Sequence, residues 1–255
     1  MLGLSLGSSY VKGIDTFGSY QSLDLDGNSD YVSLPSGFRT AFSKTTGTFS
    51  FWVNIIENEG DTTQFTFKVN TSSGDDAVSF YYHKFFTEWR TSLRSATTTI
   101  TASYDIPGSG NDDGSGYDDG WQHFACTWLV DGSSSYIKLY RNGSLQDTAT
   151  GTLGVWDETP DLVYIGNNVG SGAFVDGQID QFAYWDTALS NDNIAAVYNS
   201  GTPMDLTTFQ GANYTSTEVS KLQGYWQFEG NALDSSKNGY HGTLVGTAGF
   251  STNQP

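Results

Sequence analysis

Asp26, Asn28 and Asp30 alternate in the run Asp26-Gly27-Asn28-Ser29-Asp30, which offers side-chain oxygens at every second residue. Oxygens at that spacing suit a hard cation such as Ca2+, which gathers six to eight of them from Asp-, Asn- and Gly-rich loops. The EF-hand loop with its terminal Glu is missing, and the same Asp-Gly pair also suits the positive φ of a hairpin turn. A second oxygen-rich stretch, residues 105–120, carries Asp112, Asp113, Asp118 and Asp119 and is an alternative place for an ion.

Acid-base and nucleophilic chemistry finds less to work with. Glu57-Asn58-Glu59-Gly60-Asp61 and Asp157-Glu158 before Pro160 read as loops. His83, His123 and His241 stand in unrelated contexts, with no base placed beside a nucleophile. Zinc-ligand spacing, a phosphate-binding glycine loop and a dinucleotide fingerprint are all absent from the sequence. No catalytic residue is assigned, and the expectation is a protein that binds or assembles.

Charge narrows the partners. The 255 residues carry 11 basic and 28 acidic side chains, a formal charge of −17. That surplus repels nucleic acid and anionic lipid. No stretch approaches the roughly 18 apolar residues of a membrane span, and residues 1–12 lack the basic and apolar regions of a secretory signal. Cys126 is the single cysteine, so the chain forms no internal disulfide.

The elements that must position these groups are strands. Thirty-eight aromatic residues, abundant Ser and Thr and thirty glycines describe twisted strands and tight turns. Alternating apolar and polar residues mark strands at 22–25, 31–34, 48–55, 64–70, 77–85, 97–103, 122–130, 136–141, 162–165 and 179–185. Asp26-Gly27 and Asn142-Gly143 are each expected to join two neighbouring antiparallel strands. One helix is expected, at 191–199, capped by Ser190 and stopped by Gly201. The fold class is therefore all-β, built of antiparallel strands with one short helix.

Several blocks resemble a known family. Leu23-Asp24-Leu25-Asp26-Gly27 through Tyr31-Val32, then Thr48-Phe49-Ser50-Phe51-Trp52-Val53, resemble the opening strands of laminin-G-like domains of the concanavalin A-like lectin and glucanase superfamily. Trp121-Gln122-His123-Phe124-Ala125, Ile137 to Gly143, and Tyr164-Ile165-Gly166 with Gly177 to Phe182 follow in the family's order. The resemblance implies a two-sheet antiparallel jelly-roll sandwich over residues 1–199, a connection over 200–221 and a strand-rich segment over 222–255. Gly224-Tyr225-Trp226-Gln227-Phe228 and the loop after Leu233 are similar to the family's first strand and loop, yet come last. Circular permutation would pair residues 225–228 beside the 179–185 strand. A truncated second repeat, or exchange with a neighbouring subunit, stays open.

The same resemblance implies a calcium ion near the first and last strands, which adds Asp180 and Asp234 to Asp26, Asn28 and Asp30. It implies glycans as ligands, held by aromatic faces. The candidates are the aromatic strand 80–86, Trp89, Tyr117 and Trp156. A glucanase of the superfamily would carry Glu-x-Asp-x-x-Glu on one strand, its carboxylates about 5 Å apart, and this sequence has no such motif. The layout also resembles modules of marine tailed-phage structural proteins. The expected function is a lectin-like attachment protein at a virion surface or in an extracellular setting. The alternative is a purely structural virion component, a decoration or fibre protein that meets other virion proteins or copies of itself as a homo-oligomer.

Overall fold

The computed structural model describes residues 17–55, 63–106, 120–168 and 172–255. In chain order the elements are β1 (Ser22–Asp26), β2 (Tyr31–Ser33), α1 (Ser36–Ala41), β3 (Thr46–Ile55), β4 (Gln64–Asn70), β5 (Ala77–His83) and β6 (Glu88–Ser95). There follow β7 (Thr98–Asp105), β8 (Gln122–Leu129), β9 (Gly132–Arg141), β10 (Ser144–Leu153), β11 (Leu162–Ile165) and β12 (Asp176–Trp185). The chain closes with α2 (Asn191–Tyr198), α3 (Ser216–Lys221), β13 (Leu222–Trp226), β14 (Thr243–Val245) and β15 (Gly249–Ser251).

Two antiparallel sheets stack as a jelly-roll sandwich. The first runs β10-β9-β8-β3-β12-β1-β15, and β13 also pairs with β12; the second runs β14-β2-β11-β4-β5-β6-β7. Between them lies an aromatic core in which Phe49 meets Phe67 at 4.3 Å and Phe51 meets Phe80 at 4.9 Å between ring centroids. These contacts follow from the period-two pattern of the strands, because Phe49, Phe51, Val53 and Ile55 all leave one face of β3.

The two sheets differ on their outer faces. The first is covered: Trp185, Tyr140 and Tyr225 pack beneath Ile194 and Val197 of α2, together with Leu206 and Tyr214. As a result all but one residue of β12 are buried. The second sheet keeps the alternation of a strand with one wet face, so that along β6 Trp89, Thr91, Leu93 and Ser95 are buried while Arg90, Ser92 and Arg94 are not.

Helix α2 forms at the expected place. The Ser190 hydroxyl accepts from the Asn193 amide and the Asn193 side chain reciprocates, a capping box, while Asn199 ends the helix in the left-handed region. Two further short helices were not expected, α1 and α3. The latter carries a capping box between Thr215 and Glu218 that is visible in the sequence.

Strands β6 and β10 were not expected either, because both are rich in Ser, Thr and charge; β10 is an edge strand with mostly exposed residues. Strand β5 stops at His83, where residues 84–86 turn as a 3-10 helix.

The two Asp/Asn-Gly turns behave differently. Asn142 (φ 48°) and Gly143 (φ 75°) join β9 to its partner β10 as a two-residue hairpin. Asp26-Gly27 does not make a hairpin: β1 belongs to the first sheet and β2 to the second, and the turn carries the chain across the sandwich. Gly27, at φ 70°, donates its amide to the Val175 carbonyl at 2.9 Å as it leaves the sheet.

The edge of β12 opposite β3 is shared by two strands from distant parts of the chain. Gly177–Ile179 pair with β1, and Phe182–Trp185 pair with β13. Asp180 and Gln181 occupy the junction, where the register with β3 shifts and Gln181 takes φ 50°. Strand β15 adds to β1, and β14 adds to β2.

Candidate functional site

The oxygens of the first loop are occupied by the chain itself. Asp26 Oδ1 accepts from the backbone amides of Asn28, Ser29 and Asp30 at 2.9, 2.9 and 3.2 Å. Burial is the largest single influence and opposes its ionisation, but these amides and the Ser29 hydroxyl together outweigh it and hold its carboxyl below the usual range. Asp30 is buried and accepts from the Thr247 amide at 2.6 Å, which fastens the β14–β15 turn to the β1–β2 loop. Gly246 must be glycine there, because a Cβ would sit 2.4 Å from Asp30 Oδ1. Asp26 Oδ1 and Asp30 Oδ1 are thus met by backbone amides of the turn and of Thr247.

Asp234 is likewise occupied. Its two oxygens accept from the amides of Tyr225 (2.9 Å), Ser236 (2.8 Å) and Tyr240 (2.7 Å) and from the Ser236 hydroxyl (2.9 Å). Four donors fill the acceptor capacity of a carboxylate. Asp180 lies apart, fully buried at the β1/β13 junction, accepting from the Ser19 hydroxyl at 2.6 Å and the Gln181 amide at 2.8 Å. Burial pushes its pKa up to about 8, with the nearby Glu229 charge adding to the effect. The structure therefore does not bring Asp26, Asp180 and Asp234 together, and among the described residues no three His, Cys, Asp or Glu side chains converge as a ready metal site.

Two of the proposed sugar-stacking residues are corrected. Trp89 is 6% exposed and Trp156 is 2% exposed. Trp89 packs on Phe124 at 4.6 Å and Trp156 stacks on Phe42 at 5.7 Å, so their faces are taken by the core. Tyr117, the acids at 112, 113, 118 and 119, and the run 57–61 lie outside the described residues. His123 is a core residue: its Nε2 meets Ser50 Oγ at 2.8 Å, and burial pushes its pKa down to about 3. Both partners are about 1% exposed, which seals this serine-histidine pair from any substrate.

A site that the sequence did not announce lies on the rim of the sandwich. Three connections meet there: the β4–β5 turn, the β6–β7 turn and the segment leaving β10. They enclose an open cavity of about 320 Å3 lined by Asp75, Asp76, Ser95, Ala96, Asp157 and Glu158, among others. The β4–β5 turn is shaped by Gly74 at φ 74°, whose amide reaches the Thr71 carbonyl at 2.9 Å, and by the Thr71 hydroxyl, which accepts from the Asp76 amide at 3.3 Å. Ser95 ties the other two connections together by donating to the Gly154 carbonyl at 2.8 Å.

Asp76 is the unusual member. It is 3% exposed, its Oδ1 accepts from the Ala96 amide at 3.3 Å, and its Oδ2 is buried with no hydrogen-bond partner of normal geometry. Burial raises its pKa and the charge of Asp157 raises it further, against the pull of the Ala96 and Asp157 amides and the Ser95 hydroxyl. An orphaned carboxylate oxygen costs about 1–3 kcal/mol, more when charged, unless something meets it. Arg94 lies 3.6 Å from Asp75 and donates its Nε to the Ala96 carbonyl at 3.0 Å. The pocket thus places two mutually repelling carboxylates, Asp76 and Asp157, on one rim.

Asp75-Asp76 and Asp157-Glu158 are adjacent acid pairs in turn sequence and were readable as such. Their convergence was not, because it depends on β4–β5 and β10–β11 ending on the same rim.

Comparison with known proteins agrees with this architecture. No curated protein matches the chain. Among solved structures it is similar to a putative carbohydrate binding protein from Bacteroides ovatus, at 12% identity and TM-score 0.56, over 94% of this chain and 61% of that one. It is also similar to the CBM40 of the Ruminococcus gnavus IT-sialidase, at 16% identity and TM-score 0.51, over 71% of this chain and 100% of that one. The heptameric SAP-like pentraxin of Limulus polyphemus follows at 16% identity and TM-score 0.50, over 71% and 82%. At these identities the likeness is one of fold. Residues 26–195, more than half of the sequence, match the family Laminin_G_3, and the chain belongs to that family of the concanavalin A-like lectin/glucanases superfamily.

Proposed function

We propose that this chain is a non-catalytic, glycan-binding module that works with a calcium ion held in the rim pocket. The observation that carries this reading is the buried Asp76 Oδ2, which makes no hydrogen bond of normal geometry at the wall of an acidic, open cavity. Asp76 and Asp157 would hold the ion together with turn carbonyls, and a bound Ca2+ supplies a centre with coordination positions open to sugar hydroxyls. The chain's own part is to keep the two carboxylates close and ordered: Thr71 and Gly74 shape one turn, and Ser95 locks the others. The non-catalytic part of the reading is supported by the sealed Ser50–His123 pair and the sealed Asp180.

Placement at a virion surface or in an extracellular setting belongs to the same proposal. It is supported by the acidic composition and by a lone cysteine, Cys126, that is buried and whose pKa burial pushes up to about 12. Among the described residues no helix is long and apolar enough to cross a membrane.

Thermal unfolding with calcium and with EDTA tests the reading. An ion bound only by the folded state adds about 2.7 kcal/mol at a hundredfold excess over its Kd. Asp76→Asn is expected to abolish that shift while leaving the fold intact. Identical melting curves in calcium and EDTA would remove the cation from the proposal.

A second reading, an assembling virion component, is favoured by the β5–β6 tip, where Phe85 and Phe86 are 82% and 49% exposed. Sedimentation of the wild type beside Phe85→Ser separates the two: a stable oligomer dispersed by the substitution supports assembly.

A further inference from the structure

The open face of the second sheet presents a different chemistry from the rim. Its middle row runs across four strands as Tyr164, Lys68, Ser79 and Ser92, which are register partners in β11, β4, β5 and β6. Beside this row, Phe65 of β4 is stacked on its partner Tyr81 of β5 at 4.7 Å, and Tyr31 of β2 lies 4.6 Å from Tyr164. Two aromatic pairs therefore flank one lysine. All four rings are half-buried and belong to the face turned away from the core.

Lys68 is the anomaly. Its Nζ donates to the neutral Asn168 Oδ1 at 3.0 Å and lies 6.0 Å from the Phe65 ring centroid. Among the described residues it makes no ion pair, in a chain whose acids outnumber its bases by 28 to 11. Burial lowers its pKa, and the positive charge of Arg94 lowers it further. By contrast, Arg90 on the same face is paired with Glu88 at 2.8 Å. A half-desolvated ammonium without a counter-ion is costly, and an anion arriving between the rings would offset that cost. The hydroxyls of Tyr81 and Ser92, 3.3 Å apart, and of Thr101, 2.9 Å from Ser92, extend a polar strip next to the rings.

We infer that this face is a second binding site, separate from the rim, for a carboxylated sugar such as a uronate. The Lys68 ammonium meets the carboxylate, while Tyr81 and Tyr164 offer ring faces to the pyranose. Aromatic faces suit the C–H surface of a sugar, and Ser and Thr hydroxyls suit its rim of hydroxyl groups. Charge complementarity selects the acidic sugar over a neutral one, because a neutral ring leaves Lys68 as it is.

The test is calorimetric titration of the full chain, in EDTA, with tetramers of galacturonate and of guluronate and with their methyl esters. Binding of at least one acid tetramer is expected, and its methyl ester should bind about tenfold more weakly or worse, the loss of one charge-assisted contact. Lys68→Met should reproduce that loss, Tyr81→Ala should weaken acid and ester alike, and Asp76→Asn should change neither. Lys68→Gln provides a second, polar variant, and unchanged melting temperatures would show that each substitution leaves the sandwich folded. The inference is overturned if neither acid binds at millimolar concentration, if the esters bind as well as the acids, or if Lys68→Met retains full affinity. Binding that appears only with calcium and is lost in Asp76→Asn would return the ligand to the rim pocket and also overturn it. Absence of a calcium effect on stability, with acid binding intact, would instead remove the rim reading and leave this one standing.

Discussion

The β1–β2 loop and the rim pocket are both acidic turns, yet only the rim has a buried carboxylate oxygen left over. Asp26 faces three backbone amides within four residues of itself, so its charge is met locally before any ligand arrives. Asp76 shares its pocket with Asp157 and leaves Oδ2 unpaired. Acid spacing along the chain is thus a poor guide to ion binding, because the nearest competitors for a carboxylate in a turn are the turn's own amides. Asp234 extends the first pattern, surrounded by donors, while Asp180 stands between the two, buried with one donor on each oxygen and a like charge nearby.

Substitutions can break this contrast, beginning with the largest effect. Asp234→Ala strands the buried Tyr225 amide and unpins the loop around it, and should lower stability by about 3–4 kcal/mol in chemical denaturation. A loss below about 1 kcal/mol would show that the donors find other partners.

Asp180→Asn should act in the opposite direction. The folded-state pKa lies above the unfolded one, so the folded protein holds the extra proton between about pH 4 and 8 and loses stability as pH rises through that window. The asparagine variant removes that slope and should be the more stable protein at pH 8, by on the order of a few kcal/mol. Parallel stability-versus-pH curves for the two proteins would contradict the assignment.

Asp26→Asn sharpens the comparison at its weak end. Its carboxyl is held below the usual range, so its stabilisation is present above the unfolded pKa and fades as pH falls through the folded one. The group is exposed and the loss at pH 7 should be small, read as a slight drop in melting temperature that fades as the solution is acidified. A calcium-dependent change in this variant's melting, absent from Asp76→Asn, would reverse the ranking of the two turns.

Much of the fold was legible because it rests on short-range patterns. Period-two alternation in residues 48–55 and 122–130 located the central strands β3 and β8, and Ser190 with Gly201 bracketed α2. Strand β10 escaped notice because an edge strand needs no apolar face, and Trp89 and Trp156 were misplaced because an aromatic residue in a core strand has the same sequence signature as one on a sugar platform.

What the residues determined alone was local: turns where Gly and Asp stand together, strands where side chains alternate, a helix where a cap precedes an apolar stripe, and a net charge that disfavours nucleic acid and anionic lipid. Only the tertiary structure decided that Asp76 meets Asp157 on one rim, that β1 and β13 divide one edge of β12, and that Lys68 stands between two aromatic pairs on an open face. The reason is physical. A carboxylate's or an ammonium's state depends on burial and on charges brought from distant strands, and sheet pairing, which sets those neighbours, joins residues that the linear order keeps apart.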